Sequence, residues 1–356
     1  MAFQKASFSS ENFACVQQDI MQALIDTNTG HVASYGNDEY TAATIELLKV
    51  HFGDYIDVYF TFNGTGANNF GLACVTERHH AIFCADKSHL FVDESTAPET
   101  FIACRLYPVE SVNGKINVDS LESKIRRCGD IHHPQGKIVS LTQPTEYGTV
   151  YTLGELKAIK AVCTKNNLLL HIDGARFFNA AVHLNKSLKE MSSLAGVDIL
   201  TLGGTKLGMM FGEAVIFFNP ASSVPYKFTL KRSMQLASKN RFIAVQFQRL
   251  FLNDLWQKVA THTNRLAKLF EKQVQDIPLV KIAYPVETNA VFLKMPKSLY
   301  LKMQRYADFY YWDEQSEVAR FVFSFSNTVE EVMEFSKYLR EGAASILIEA
   351  AGEVKI

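Results

Sequence analysis

Two residues at the ends of apolar segments have side chains that could act together in catalysis. Lys206 ends the tract Thr-Leu-Gly-Gly-Thr-Lys, and Asp173 ends the run Leu-Leu-Leu-His-Ile-Asp. A lysine amine condenses with an aldehyde to form a Schiff base, and a carboxylate can keep a pyridinium nitrogen protonated so that the ring withdraws electrons. The pair therefore suggests pyridoxal phosphate as the cofactor. Taken alone, Lys206 could also be a solvated turn residue and Asp173 a helix cap.

A turn upstream of both residues could bind the phosphate of that cofactor. It contains Gly64, Thr65 and Gly66, between the strand-like segment 57–61 and an apolar, helix-like segment. Small residues let backbone N–H groups approach an anion, a threonine hydroxyl adds a donor, and a helix N-terminus favours negative charge. An ordinary strand-to-helix turn is the alternative, because glycine patterns of this kind are individually unspecific.

Short β-rich runs alternate along the chain with longer segments of helical spacing, which predicts an α/β fold. The candidate chemical residues fall where these runs end, and open α/β sheets bind their ligands there. Thr152 and Glu155 form a capping box that predicts the start of a helix. Alternating segments at 289–294 and 319–325, with a helical segment at 329–342, indicate a smaller α+β domain. The predicted strands of the larger domain are 58–61, 81–84, 101–106, 137–141, 168–173, 198–202 and 214–218.

The order of phosphate turn, His89, Asp173 and Lys206 resembles that of the aspartate-aminotransferase-like superfamily of pyridoxal-phosphate enzymes. Within it the chain most resembles the threonine aldolase and β-eliminating lyase family, in particular its low-specificity L-threonine aldolases. The motifs that carry this resemblance are Ser-Tyr-Gly-Asn-Asp-Glu-Tyr-Thr at 34–41, His89 with Glu94, and Asp-Gly-Ala-Arg at 173–176. The resemblance runs from about residue 8 to residue 218 and then thins to single residues, chiefly Arg320.

The resemblance implies the PLP-dependent transferase-like architecture known as fold type I. Its large domain, with a mainly parallel central sheet and an N-terminal arm, would cover residues 1–255. A smaller C-terminal α+β domain would cover residues 256–356. The resemblance also implies a homodimer or homotetramer with the site at the subunit interface, where Arg232 and Lys239 of a neighbouring subunit bring positive charge to the cofactor phosphate.

Roles for individual residues follow from the same resemblance. The implied reaction is a retro-aldol cleavage of L-threonine or L-allo-threonine to glycine and an aldehyde, in which an imidazole stacked on the cofactor ring could take the β-hydroxyl proton. The implied catalytic residues are Lys206, His89, Asp173 and Glu146. The implied cofactor contacts are Lys206, Gly64, Thr65, Gly66, His89, Asp173, Arg176 and Thr205. The implied substrate contacts are Ser10, Tyr35, Arg176 and Arg320, since a guanidinium can bind an α-carboxylate through two parallel hydrogen bonds.

Glu146 departs from the family pattern. Some threonine aldolases have a second histidine in the loop after the strand that corresponds to 137–141, and Glu146 stands where that imidazole would fall. Glu146 could replace its hydrogen bonding or favour another β-hydroxy amino acid. Two other functions stay open. A β-eliminating lyase or amino-acid racemase would use Lys206 to remove the Cα proton, and a non-enzymatic descendant would need neither Lys206 nor Asp173.

Composition argues against several other classes of protein. The 356 residues have a formal net charge of −1 with scattered charges, so nucleic acid and anionic membranes are not expected partners and small molecules are likelier ones. The resemblance implies that the small molecule is an amino acid. The histidine doublets at 79–80 and 132–133 lack a ligand array, and adjacent side chains diverge, so no metal site is expected. The start of the chain lacks the apolar core of a secretory signal, which makes the cytoplasm the expected location.

Overall fold

The computed structural model describes residues 5–218, 220 and 224–353. Contacts divide the chain into two compact units, one of them Val16–Gln257 and the other Met1–Cys15 with Lys258–Ile356. The predicted large domain included the N-terminal arm, whereas in the structure the arm belongs to the second unit. There its strand pairs in parallel with a strand near residue 307, and Phe8 lies in the hydrophobic core. The functional division at residue 255 stays a prediction.

The strands of the described residues include two-residue pairs as well as longer segments. In chain order they are β1 (Ala6–Ser7), β2 (Ile56–Thr61), β3 (His80–Ala85), β4 (Arg105–Val109), β5 (Ser111–Val112), β6 (Lys115–Ile116), β7 (Gln135–Thr142), β8 (Leu169–Gly174), β9 (Ile199–Gly203), β10 (Glu213–Phe218), β11 (Lys281–Ile282), β12 (Ala290–Lys294), β13 (Ala307–Asp308), β14 (Tyr310–Asp313) and β15 (Val318–Val322).

The α-helices range from a single turn to seven turns. In chain order they are α1 (Gln18–Thr27), α2 (Glu39–Phe52), α3 (Gly64–Ala73), α4 (His89–Val92), α5 (Val118–Lys124), α6 (Leu153–Lys165), α7 (Phe177–Leu184), α8 (Leu188–Met191), α9 (Val224–Arg232), α10 (Arg241–Phe251), α11 (Leu255–Val274), α12 (Lys297–Met303) and α13 (Val329–Glu353). The predicted capping box is present at the start of α6, where Thr152 and Glu155 exchange hydrogen bonds.

The central sheet of the larger unit has the strand order β2-β10-β9-β8-β7-β3-β4 among the described residues. The run from β9 to β4 is parallel, and β10 lies antiparallel between β9 and β2. The predicted α/β fold with a mainly parallel sheet is therefore confirmed. The strand predicted at 101–106 was placed too early, because Pro98–Ile102 form a π-helical turn and Ala103 is left-handed, so β4 begins at Arg105.

The sheet positions the candidate residues because its parallel strands end at one edge. Every residue of β9 and β10 is buried, as expected for strands that are covered on both faces. Asp173 in β8 lies beside Thr142 of β7 on one side and Thr201 of β9 on the other. The loops that follow β3, β7 and β9 therefore emerge near Asp173, and they carry His89, Glu146 and Lys206 respectively.

The second unit is built around an antiparallel sheet of strand order β11-β12-β15-β14. Its core is rich in aromatic rings, among them Phe270, Phe309, Phe321 and Phe335, whose centroids lie 4.4 to 6.1 Å apart in contacting pairs. Helices α11, α12 and α13 contribute buried residues to the same core. The smaller α+β domain predicted from the terminal segments has this architecture.

We expect Gly203→Ala to destabilise the larger unit. A Cβ at Gly203 would lie 2.3 Å from the carbonyl oxygen of Ala175, a backbone atom of the loop after β8 that cannot yield easily. Overpacking of this kind costs about 1–3 kcal/mol, so the thermal unfolding midpoint followed by circular dichroism should fall. Gly154→Ala in α6 is the matched control, because its Cβ would approach no described atom more closely than 3.8 Å. Equal midpoints for the two variants would contradict the packing argument.

Candidate active site

A buried amide joins two buried carboxylates at the carboxyl edge of the sheet. Asp173 is 6% exposed. Its Oδ2 accepts a hydrogen bond of 2.8 Å from Nδ2 of Asn68 in α3, and its Oδ1 accepts one of 3.1 Å from the backbone N–H of Ala175. The same Asn68 nitrogen lies 2.9 Å from Oε1 of Glu94, which is also buried. Asn68 therefore holds both carboxylates in fixed positions, and the motif-based prediction missed it.

His89 lies against this carboxylate pair and is half-exposed on its other side. Its Nδ1 is 3.0 Å from Oε1 of Glu94, and the side chain is 42% exposed. The hydrogen bond to Glu94 raises the pKa of His89, and the negative charge of Asp173 acts in the same direction, whereas burial and the positive charge of Lys206 oppose the shift. The imidazole is therefore more readily protonated than an ordinary histidine.

The ligand atoms of His89, Glu94 and Asp173 all lie within 4.8 Å of one another. Such a group has the composition of a metal site. However, the Asn68 amide hydrogens point toward both carboxylates, and a hydrogen-bond donor in that place opposes the approach of a cation. The prediction that the chain has no metal site stays a prediction.

The structure brings Glu146 to His89. The backbone N–H of His89 donates a hydrogen bond of 2.7 Å to Oε1 of Glu146. Its other carboxyl oxygen, Oε2, is buried and has no hydrogen-bond partner among the described residues. Burial raises the pKa of Glu146 to about 7, and the negative charge of Asp173 contributes to the rise. The carboxyl thus has an ionisation suited to proton transfer near neutral pH.

Lys206 lies in the 3₁₀ turn Thr205–Leu207 that follows β9. Its positive charge acts on the pKa values of both His89 and Glu213, and the negative charge of Asp173 acts on the same two groups. The amine and the Asp173 carboxylate therefore act on the same two groups, and their roles in cofactor binding stay predictions. Glu213 was not predicted, because a glutamate that opens an apolar strand has no motif to distinguish it.

The predicted phosphate turn forms the N-terminus of α3. Asn63 caps this helix by accepting a hydrogen bond of 2.8 Å from the backbone N–H of Gly66. The Gln235 side chain also lies at the turn. Its Oε1 accepts a hydrogen bond of 2.9 Å from the backbone N–H of Phe62. A Cβ at Gly66 would lie 2.4 Å from Cδ of the same side chain. At Gly64, by contrast, no described atom lies within 4 Å of a built Cβ, so the backbone there is open to an anion.

A buried histidine links three strands next to Asp173. His171 Nδ1 is 2.8 Å from the hydroxyl of Ser140 in β7, and its Nε2 is 3.2 Å from the hydroxyl of Thr201 in β9. Burial lowers the pKa of His171 to about 4, which keeps the imidazole neutral. In the sequence His171 stands inside an apolar run, which gives no sign that it joins the strands that support Asp173.

The larger unit also contains the predicted residues Arg176, Tyr35 and Arg232. Arg176 directly precedes α7, three residues after Asp173. Tyr35 is exposed and left-handed, with the Lys231 ammonium 5.5 Å from its ring centroid. Arg232 acts on the pKa of Cys74, which caps the C-terminal end of α3. Arg232 ends α9 and is exposed, three residues before Gln235.

The remaining predicted residues belong to the second unit. The Ser10 hydroxyl accepts a hydrogen bond of 3.2 Å from the backbone N–H of Asn12 and caps a 3₁₀ turn. Arg320 in β15 lies with its guanidinium 5.1 Å from the ring centroid of Tyr310 and 4.5 Å from that of Trp312, and it donates to the Ser9 carbonyl. The two rings fix the plane of the guanidinium.

The residues of the larger unit fit pyridoxal phosphate. A buried carboxylate for a pyridinium nitrogen, a lysine amine for an aldehyde and open backbone at a helix N-terminus for a phosphate are all present. In addition, Oδ1 of Asn68 is buried without a hydrogen-bond partner among the described residues. A buried polar atom of this kind is costly unless a bound group or water satisfies it.

Comparisons with known proteins found relatives that match nearly the whole chain. The β-eliminating lyase family model matches residues 7–298. A low specificity L-threonine aldolase of Pseudomonas aeruginosa is 37% identical over 334 residues, which are 94% of this chain and 96% of that protein. Another, of a Pseudomonas species, is 36% identical over 341 residues, 96% and 99% of the two chains. The solved structure of Leishmania major threonine aldolase has a TM-score of 0.90 at 24% identity over 95% of this chain and 99% of that one, so the fold is shared.

We expect Glu94→Gln to lower the pKa of His89 toward its ordinary value, because the variant removes the charge that stabilises the imidazolium. In the wild-type protein the raised pKa means that protonated His89 stabilises the fold. That contribution is complete below the unfolded pKa of about 6.5 and is lost as the pH rises through the folded value. Imidazole NMR shifts recorded against pH without added cofactor measure the change, and His171 should be unaffected. An unchanged His89 titration would contradict the assignment.

Proposed function

The chain belongs to the β-eliminating lyase family, whose members depend on pyridoxal phosphate, and we propose that it cleaves L-threonine and L-allo-threonine to glycine and acetaldehyde. The observation that carries the proposal is that neighbouring strands bring Asp173 and the turn of Lys206 to the carboxyl edge of the sheet, with the His89 imidazole within 4.8 Å of the Asp173 carboxylate. The relatives named low specificity L-threonine aldolase, which match nearly the whole chain, support the choice of substrate.

Each residue of the site has one task in this proposal. Lys206 would attach the cofactor, Asp173 would hold the proton of the ring nitrogen, and His89 would lie against the ring. Gly64 and Thr65 would bind the phosphate with their backbone N–H groups and hydroxyl. When bound, pyridoxal phosphate supplies an electron sink for the bond that breaks at Cα.

Cleavage requires an acceptor for the β-hydroxyl proton, and we assign that role to Glu146. As the Cα–Cβ bond breaks, the hydroxyl oxygen becomes the aldehyde carbonyl and its proton passes to the acceptor. A proton then returns to Cα to complete glycine, so all atoms of threonine appear in the two products. The pKa of about 7 at Glu146 suits a base near neutral pH, whereas the raised pKa of His89 favours its protonated form.

The substrate carboxylate needs a cation, and Arg176 is the candidate in the larger unit because it follows Asp173 so closely. Tyr35 and Ser10 stay predicted substrate contacts. Arg320 stays a predicted carboxylate ligand. Its stacking between Tyr310 and Trp312 supports that role, since a guanidinium held in one plane loses less freedom when it forms two parallel hydrogen bonds.

We also propose that the protein is a homodimer or homotetramer with the site at a subunit interface. Arg232 supports this, because it ends α9 with an exposed side chain that a neighbouring subunit could approach. Lys239 is also exposed and would act with it. Among the described residues, no helix is long and apolar enough to span a bilayer. The cytoplasm is the location we propose.

We expect Lys206→Ala to abolish both cofactor attachment and threonine cleavage. The variant lacks the amine that is assigned to the Schiff base, so the visible absorbance of the lysine-bound cofactor should vanish. Acetaldehyde and glycine should no longer form from L-threonine or L-allo-threonine. Far-ultraviolet circular dichroism checks that the fold persists. If wild-type protein with bound cofactor yields pyruvate or the D-amino acid instead, it is a β-eliminating lyase or a racemase.

We expect Glu146→Gln to lower kcat for threonine cleavage by roughly 100- to 10,000-fold, the usual contribution of a general base. A base must be ionised, so wild-type kcat should rise with pH through about 7, the pKa of Glu146. In Glu146→Gln this rise of kcat with pH should be absent. Glu190→Gln is the matched control. Glu190 also accepts a backbone N–H, from Ser187, but it lies in α8 and is not one of the predicted site residues. If kcat of Glu146→Gln still rises with pH through about 7, the acceptor of the β-hydroxyl proton is His89 instead.

A further inference from the structure

Glu213 is a buried carboxyl that none of the roles above uses. It is the first residue of β10 and is 7% exposed. Its Oε2 accepts a hydrogen bond of 2.6 Å from the backbone N–H of Gly204, and its carboxyl also accepts one from the Thr205 side chain. The carboxyl therefore holds the two residues that directly precede Lys206.

The loop that carries Lys206 is confined on its other sides as well. A Cβ at Gly204 would lie 2.3 Å from Sδ of Met209 and 2.9 Å from the carbonyl oxygen of Gly212, so the backbone fits closely against the turn into β10. The antiparallel register places Glu213 opposite Gly203 of β9 and Thr61 of β2. Strand pairing thus fixes the backbone of Glu213, and the hydrogen bond from Gly204 fixes its carboxyl.

The charges around Glu213 couple it to the amine. Burial raises the pKa of Glu213 to about 7, the hydrogen bonds from Gly204 and Thr205 and the charge of Lys206 oppose the rise, and the charge of Asp173 adds to it. Thr61, on the neighbouring strand, brings no charge. The charge of Lys206 acts on His89 of α4 and on Glu213 of β10, and the charge of Asp173 in β8 acts on the same two groups. Of these, Glu213 also holds the backbone of the lysine loop.

We propose that Glu213 is a positioning residue that holds the loop before Lys206, and that its negative charge favours the protonated form of the lysine nitrogen to which the cofactor is attached. The inference rests on the proposed use of pyridoxal phosphate and does not depend on which amino acid is cleaved. An ionised carboxylate near a nitrogen raises the pH at which that nitrogen loses its proton, and a neutral amide does not.

The test compares Glu213→Gln with Glu213→Asp. Glutamine keeps a carbonyl oxygen for the Gly204 N–H but removes the charge, whereas aspartate keeps the charge but is too short to maintain the 2.6 Å bond. The matched control is Glu155→Gln, because Glu155 also accepts a backbone N–H, from Thr152 at 2.7 Å, but lies in α6. The readouts are the pH titration of the visible absorbance of the lysine-bound cofactor and its rate of release on dilution.

We expect the absorbance transition of Glu213→Gln to shift about one pH unit lower than in the wild type, with release almost unchanged. Glu213→Asp should titrate close to the wild type but release the cofactor about fivefold faster, as expected for the loss of one ordinary hydrogen bond. Glu155→Gln should match the wild type in both measurements. A wild-type titration for Glu213→Gln would overturn the proposed effect of the charge.

Other outcomes are equally decisive. If Glu213→Gln retains no cofactor, the result for Glu213→Asp decides. A cofactor release rate equal to that of the wild type would overturn the holding role of Glu213. An absorbance transition shifted by a full pH unit would overturn the effect of its charge. If the wild type shows the lysine-bound absorbance but forms no acetaldehyde from threonine, the proposed reaction fails while this test still applies. Wild-type protein without that absorbance would remove the premise of both.

Discussion

Buried negative charge at the carboxyl edge of the sheet is the constraint on which the rest of the site depends. Asp173, Glu94 and Glu213 are buried, and the carboxyl end of Glu146 is buried with them. Removing a carboxylate from water costs several kcal/mol unless donors replace the lost hydration. Here the donors are backbone N–H groups and the amide of Asn68, all on elements whose positions are set by the sheet. The fold must therefore hold these elements in place for the charges to persist.

The same constraint gives each ionisable group a different proton affinity. His89 gains a hydrogen bond to a carboxylate, which raises its pKa, whereas His171 has only hydroxyl partners and burial lowers its pKa to about 4. Glu146 and Glu213 are buried with few donors, and burial raises the pKa of each to about 7. One edge of a sheet thus holds an imidazole of raised pKa and two carboxyls whose pKa values are about 7. Proton transfer between a substrate and the protein requires groups of this kind.

Close packing of backbone explains why glycines surround the lysine. At Gly203 and Gly204 a Cβ would meet backbone or buried side-chain atoms at less than 3 Å, so the strand end and its loop lie in contact with the loop after β8 and the turn into β10. The segment before Lys206 consequently has little room to move against the sheet. The hydrogen bond from Gly204 to Glu213 also fixes this segment to β10. A precise position for the amine follows from packing as much as from hydrogen bonding.

The sequence by itself determined the α/β class and most of the strands, and it singled out Lys206, Asp173 and His89 as candidates for cofactor chemistry. These residues lie in short sequence motifs at strand ends. Such motifs can be recognised without knowledge of the residues that they contact in the fold. The strand predicted at 101–106 failed because apolar composition alone does not separate a strand from a buried helical turn.

Only the tertiary structure decided which polar side chains meet. Asn68 reaches Asp173 across 105 positions of chain, Gln235 reaches the phosphate turn from a segment with no motif, and Glu213 meets the Lys206 loop because β10 returns antiparallel to β9. Glu146 was noticed as a departure from a family pattern, but its pKa depends on burial that no sequence pattern encodes. Side-chain pairing follows strand register and packing, and these are properties of the folded chain.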